Sequence, residues 1–217
     1  MNNTQGDYTL IGTDLTGLWL QPGFVEGIVA ERKRFATLVK AYGHIFRRNL
    51  EYAILLWNGL PIRFSYQDDL PAMVSNLIVM LHAVQHPEAT FGTSYVFQTL
   101  NLQTLWQLEI DQKIVTIEGF WQQVPGHYEA ALNQLGMIRM PRLAFLCEWK
   151  LLLQQFIQAI ADAEAVLTRS EARNQLQTLY SLEANIPSRG RFYQHLDVSD
   201  GMRRSQRKQS YHEKTSN

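Results

Sequence analysis

Two periods of hydrophobicity, each sustained over a long stretch, decide what this chain can fold into. Between Tyr95 and Ile117 apolar residues recur at every second position: Tyr95 and Phe97, then Trp106, Leu108 and Ile110, then Val115 and Ile117. From Phe145 to Ile160 the spacing changes to three and four, through Phe145, Leu146, Trp149, Leu152, Leu153, Phe156, Ile157 and Ile160. The first period is that of strands with one buried face, and the second that of a helix with one apolar stripe. Such a face and such a stripe satisfy each other by packing together. The pattern therefore predicts an α+β fold, an antiparallel sheet of hairpins covered by amphipathic helices in a single domain. If Asp111-Gln112 is a two-residue loop, Ile110 lies opposite Lys113, Leu108 opposite Val115 and Trp106 opposite Ile117, with the apolar residues on one side. Phe120 and Trp121 extend the third strand.

Other elements follow from local signals. Phe24, Ile28, Phe35, Val39, Tyr42 and Phe46 share helical spacing and predict a helix over about 24–50, whose other face carries Glu31, Arg32, Lys33, Arg34, Lys40, Arg47 and Arg48. The segment before it, with Gly12, Gly17 and Pro22-Gly23, reads as turns. Asn58-Gly59 is a strong hairpin signal between Leu55 and Trp57 on one side and alternating Ile62, Phe64 and Tyr66 on the other. Asp68-Asp69-Leu70-Pro71 suits the positive end of a helix, which runs to about His86 with His82 and His86 opposite its apolar arc. Tyr128–Leu135 predicts a short helix closed by Gly136. Pro141 then opens the long helix, to about Leu167, on which Cys147 and Glu148 fall away from the stripe. Thr168-Arg169-Ser170-Glu171 reads as a capping box for a last helix through about Ala184, and Arg191–Leu196 as an edge strand. One domain is expected over residues 1–198. Residues 199–217 are polar and predict a disordered basic tail.

Composition narrows the function classes. The chain has 217 residues, 46% of them hydrophobic, which is enough for a filled core. Its 20 basic and 20 acidic residues cancel, but unevenly. From Gly201 onward Arg203, Arg204, Arg207, Lys208 and Lys214 face only Glu213, a net of +4, so residues 1–200 carry −4. A mildly acidic body does not suit gripping nucleic acid or a bilayer through bulk electrostatics, and neither partner is expected. Cys147 is the single cysteine and has no intramolecular disulfide partner. The first residues lack a signal peptide's basic and apolar regions, and no apolar run approaches the about 18 residues that span a membrane. The expected localisation is cytoplasmic.

No assembled catalytic constellation is legible. His82 and His86, at i and i+4, could present two imidazoles to a metal, but no third ligand is indicated, and they read as surface residues. Cys147 has no companion histidine motif. In the register above Glu109 faces Ile114 and Glu118 faces Leu105, at opposite ends of the hairpin, whereas paired acid and base groups work about 5–10 Å apart. Phosphate-loop, nucleophile-elbow and dinucleotide fingerprints are missing, and no cofactor is expected. A pocket assembled from distant residues, such as His127, Glu148 and the tryptophans, would make the protein an enzyme or small-molecule binder, and sequence leaves that alternative open. Aromatic residues point elsewhere. Adjacent strand residues face opposite ways, so one of Phe120 and Trp121 faces away from the core, and an outward tryptophan is a favoured interface anchor. The expected partner-binding surface is Trp121 with Glu109, Glu118, His82 and His86.

The central meander, the long amphipathic helix Phe145-Leu-Cys-Glu-Trp-Lys-Leu-Leu-Leu-Gln-Gln-Phe-Ile157 and the lack of a catalytic signature together resemble the immunity proteins of bacterial polymorphic toxin systems, including those paired with type VI secretion effectors. The resemblance covers the layout of residues 1–196, rests on no diagnostic motif and carries over no functional residue. It implies a stoichiometric inhibitor that binds a cognate toxin domain and blocks its active site. Oligomeric state is left open.

Overall fold

A computed structural model describes residues 17–23, 25, 28–87 and 92–188. Its first element is a strand, β1 (Leu18–Gln21), in a segment whose glycines read as turns; Leu18 and Leu20 are buried. The helix expected over 24–50 is much shorter. Arg34–Phe35 forms β2, and only Leu38–Ile45 is helical, as α1. Two local bonds set this start. Thr37 adopts extended backbone, and its hydroxyl oxygen accepts the Lys40 N–H at 3.2 Å, as an N-cap does. Upstream, Lys33 and Phe35 give their carbonyls to the N–H groups of Val166 and Thr168 at 2.9 and 2.8 Å, bonds that a helix would have claimed. Val39, placed in the apolar stripe by its spacing, is exposed, and Phe24 lies outside the described residues.

Asn58 and Gly59 both adopt positive φ, 46° and 87°, the backbone a two-residue primed turn requires, and join β3 (Tyr52–Trp57) to β4 (Leu60–Ser65). With β1 these form a three-stranded antiparallel sheet in the order β1-β3-β4. The helix α2 (Asp69–Gln85) follows as its start signals predict. Asp69 is buried rather than solvated, and its carboxylate accepts the Ser65 N–H at 2.9 Å and the Thr99 hydroxyl at 2.5 Å.

The meander is four-stranded: β5 (Thr93–Gln98), β6 (Gln103–Ile110), β7 (Ile114–Gln123) and β8 (Ile138–Pro141), in that order and antiparallel throughout. Its central register differs from the expected one by two residues. Ile110 faces Val115, Leu108 faces Ile117 and Trp106 faces Gly119. Asp111 is the cause: its side chain accepts the N–H groups of Lys113 and Ile114, both at 2.6 Å, so the loop is Gln112-Lys113. A slip of two preserves the faces, and Trp106, Leu108, Val115 and Ile117 are buried as expected.

A short helix, α3 (Glu129–Gln134), is closed by Gly136 at φ 69°. The long helix α4 (Arg142–Asp162) lays its stripe into the core, where Trp149 meets Trp106 with ring centroids 6.4 Å apart. Trp57 from the other sheet packs on Trp106 and Trp121 at 5.4 and 5.1 Å, so one aromatic core joins both sheets and α4. Val166–Leu167 then forms β9, parallel to β2, and α5 (Ser170–Asn185) ends the described chain. Its N-cap is Arg169, with no side-chain cap bond, because the Thr168 hydroxyl donates to the Phe35 carbonyl at 3.1 Å instead.

Cys147 and Glu148 are both buried, against the helical-wheel expectation. The segment after α5 crosses α4, bringing the Pro187 carbonyl to 3.4 Å from the Cys147 thiol, while the Glu148 carboxylate accepts the Leu20 N–H of β1 at 3.1 Å. A wheel counts one apolar stripe, and α4 is packed on two sides. The expected edge strand 191–196 and the tail 199–217 lie outside the described residues. No helix among the described residues is long and apolar enough to cross a membrane.

Candidate functional site

The four-stranded sheet turns one face to the core and the other to solvent, and cross-strand pairing fixes which residues meet on the outer one. Val96 stands opposite Leu105, and Leu105 opposite Phe120. These three make an apolar row across β5, β6 and β7, out of phase with the buried positions. Val96 is 54% and Phe120 40% exposed. A second row, Ser94–Gln107–Glu118, lies beside it, and a third holds Glu109 opposite Thr116 and Thr116 opposite Arg139.

The two-residue register difference moves Glu109 and Glu118 together. With Gln107 opposite Glu118 and Glu109 opposite Thr116, the glutamates occupy diagonal positions, whose Cβ atoms lie about 7–8 Å apart. They are not at opposite ends of the hairpin. Both line a hollow of about 280 Å³ with Ser94, Gln107, Thr116 and the 60%-exposed Met137. Neither carboxylate makes an ion pair or hydrogen bond among the described residues. Both are exposed on an open face.

Trp121 is not the outward member of its pair. It is 3% exposed, with its ring in the aromatic core, and Phe120 takes the surface position. Phase decides this: Trp121 pairs with buried Thr104, Phe120 with Leu105. Asn133 of α3 holds the strand there, accepting the Trp121 N–H at 2.8 Å and donating to its carbonyl at 2.9 Å. The following turn is pinned by Glu129, which accepts the Val124 N–H at 2.7 Å; that bond, first among several, holds the Glu129 carboxyl below the usual carboxylate range.

His82 and His86 are exposed on α2, ring centroids 4.7 Å apart, and no ion pair joins them to either glutamate. Among the described residues no group of three or more His, Cys, Asp or Glu could hold a metal ion. The residues suggested for an assembled pocket are not brought together as one: His127 has an 89%-exposed side chain, Glu148 is buried against β1, and Trp57, Trp106, Trp121 and Trp149 are core. Sequence reasoning missed Val96 and Leu105, and of Phe120 and Trp121 it chose the buried one as the outward anchor. The signal was present, as apolar residues at polar phases of three strands, but it becomes a row only once the register is known.

No protein-family description, curated protein or solved structure matches this chain.

Proposed function

We propose that this protein is an immunity protein: a stoichiometric inhibitor, acting in the cytoplasm, that lays the outer face of its four-stranded sheet on a cognate bacterial toxin domain. The observation that carries the reading is the in-register row Val96–Leu105–Phe120, with the unpaired carboxylates Glu118 in the next row and Glu109 in the one beyond. Apolar side chains held on a rigid sheet lose little freedom on binding, and a polar rim confers specificity. Among the described residues, hollows on and beside this face measure about 170, 240 and 280 Å³. Each falls short of the roughly 300–1,000 Å³ typical of small-molecule pockets and suits a protruding side chain of a protein partner. Glu109 and Glu118 outnumber Arg139 on the face, and residues 1–200 carry −4 in sequence, so the complementary partner surface is basic.

The test is co-expression in a bacterial host with the polypeptide encoded beside this gene. The reading requires that polypeptide to arrest growth alone, and requires this protein to restore growth and co-purify with it at one-to-one stoichiometry. A neighbour that is harmless, or one whose toxicity this protein leaves untouched, would overturn it.

A further inference from the structure

Charge is distributed unevenly over the folded body. Residues 31–51 hold Arg32, Lys33, Arg34, Lys40, Arg47 and Arg48 against Glu31 and Glu51, a net of +4. The other described residues hold seven basic and eleven acidic side chains, a net of −4. Folding gathers the six cations at one pole. The Glu31 carboxylate meets Lys33 at 2.7 Å and Arg47 at 3.3 Å, and the Val29 N–H donates to the Ile45 carbonyl at 3.1 Å, so the segment before β2 lies along the end of α1. Eight helical residues span only about 12 Å, which keeps Lys40 close to Arg47 and Arg48. Arg32, Arg34, Lys40 and Arg48 are exposed and make no ion pair among the described residues.

Beside these cations a leucine is held out in water. Leu50 is 80% exposed, more than any other large apolar side chain among the described residues. Its neighbours fix it there. Asn49 is buried, its N–H donates to the Phe46 carbonyl at 2.8 Å, and its Oδ1 accepts the Glu51 N–H at 2.9 Å, so the turn is anchored on either side of Leu50. Tyr52, 46% exposed, follows on the outer face of β3, with half-buried Ile54 and Leu56 behind it at alternate positions. The helix α1 packs chiefly on α2 and α4, elements apart from the strands that carry Glu109 and Glu118.

We infer that this pole is a docking surface for an anionic membrane, Leu50 and Tyr52 entering the interface while Arg32, Arg34, Lys40 and Arg48 meet lipid phosphates. Peripheral attachment takes two signals, an apolar insertion and a basic patch, and both occur here within one short helix and its flanking turns. A nucleic acid would engage the cations but has little use for the leucine, since its recognition adds stacked bases or groove contacts rather than an aliphatic side chain on a turn. Net charge near zero argues against a bilayer only when averaged over the whole molecule; docking responds to the face presented.

Lipid binding needs no toxin, so its failure leaves the proposed function standing. Cosedimentation with vesicles tests it in the full chain carrying Arg203→Gln, Arg204→Gln, Arg207→Gln and Lys208→Gln, so that those four cations cannot supply the attraction. Vesicles of phosphatidylcholine with about 30% phosphatidylglycerol should bind this protein in about 0.1 M salt, pure phosphatidylcholine should not, and about 0.5 M salt should release it. Adding Lys40→Gln and Arg48→Gln should weaken binding about twentyfold, and Leu50→Ser should weaken it about tenfold. Orientation has its own readout. An environment-sensitive dye on Leu50→Cys should shift its emission to the blue on vesicles, and the same dye on exposed Met137→Cys should not, the native Cys147 being buried. Circular dichroism checks that each variant is folded. No binding to anionic vesicles, binding indifferent to the Lys40 and Arg48 changes, a blue shift at 137 rather than 50, or tighter retention of duplex DNA or single-stranded RNA than of vesicles would overturn the inference.

Discussion

Alanine at position 119 should destabilise the domain, although a strand ordinarily gains from losing a glycine. The gain alone is about 0.5–1 kcal/mol, from the smaller conformational freedom of the unfolded chain. Gly119, however, lies opposite Trp106, where three indoles converge. A Cβ built there sits 2.8 Å from Nε1 of Trp121 and 2.9 and 3.1 Å from Cζ2 and Cη2 of Trp57. Neither ring has room to retreat, since Trp57 packs edge-on against Trp121 and tilted against Trp106, and both are buried. Overpacking of this kind costs about 1–3 kcal/mol. Set against the gain, a net loss of about 1 kcal/mol, at most about 2.5, remains, which lowers Tm by about 2–4 °C and by no more than about 10 °C in a domain of this size. Urea unfolding followed by tryptophan fluorescence measures it, with the slope against denaturant unchanged if the loss is one of native packing. A Gly119→Ala protein as stable as wild type would mean that the indoles are not packed beneath this strand, and the register that places Trp106 opposite Gly119 would be wrong.

Three further outcomes follow from the same packing. Phe120→Ser should change the unfolding free energy by no more than about 0.5 kcal/mol, whereas Trp121→Ala should cost about 3–5 kcal/mol; equal costs in chemical denaturation would contradict the assignment of the two faces. Lys150 donates to the carbonyls of Glu183 and Ile186, both at 2.6 Å, at the end of α5, so Lys150→Met should cost about 1–3 kcal/mol and speed amide exchange there; unchanged exchange would refute the clasp. Donation from Lys150, and then from Gln154, holds the Glu183 carboxyl below its ordinary 4.5. A lowered carboxyl contributes stability that is present above the unfolded value and lost as pH falls through the folded one. The deficit of Glu183→Gln relative to wild type should therefore be full near neutral pH and shrink below about 4.5, and a pH-independent deficit would exclude the pairing.

What the sequence disclosed depended on how far each signal reached along the chain. The Asn58-Gly59 hairpin, α2 and the apolar stripe of α4 were legible because their causes lie within a few residues: a positive-φ pair, an acidic start with proline, a 3.6-residue period. The span of α1 was not, because the strand before it exists only through bonds to Val166 and Thr168, more than a hundred residues away. Glu148 and Cys147 were misplaced for the same reason, their burial being imposed by β1 and by the segment after α5. At the site, alternation established that one of Phe120 and Trp121 must face outward, yet not which, since both are apolar and only the pairing of Trp121 with Thr104 sets the phase. Glu109 and Glu118 were identified singly but read as distant, because Asp111 hydrogen-bonds two following amides and moves the turn by one residue. Val96 and Leu105 went unread, since an isolated surface valine or leucine means little until three such residues fall into one row.

The central claim, that the outer sheet face is where a toxin domain docks, is tested most directly by the Leu105→Arg, Phe120→Arg double variant. Titrated calorimetrically against the purified product of the neighbouring gene, wild type should bind at one-to-one stoichiometry. The folded double variant should bind at least about thirtyfold more weakly, the loss expected when the anchors of an interface are removed. A double variant that binds and neutralises the toxin as well as wild type would contradict the account.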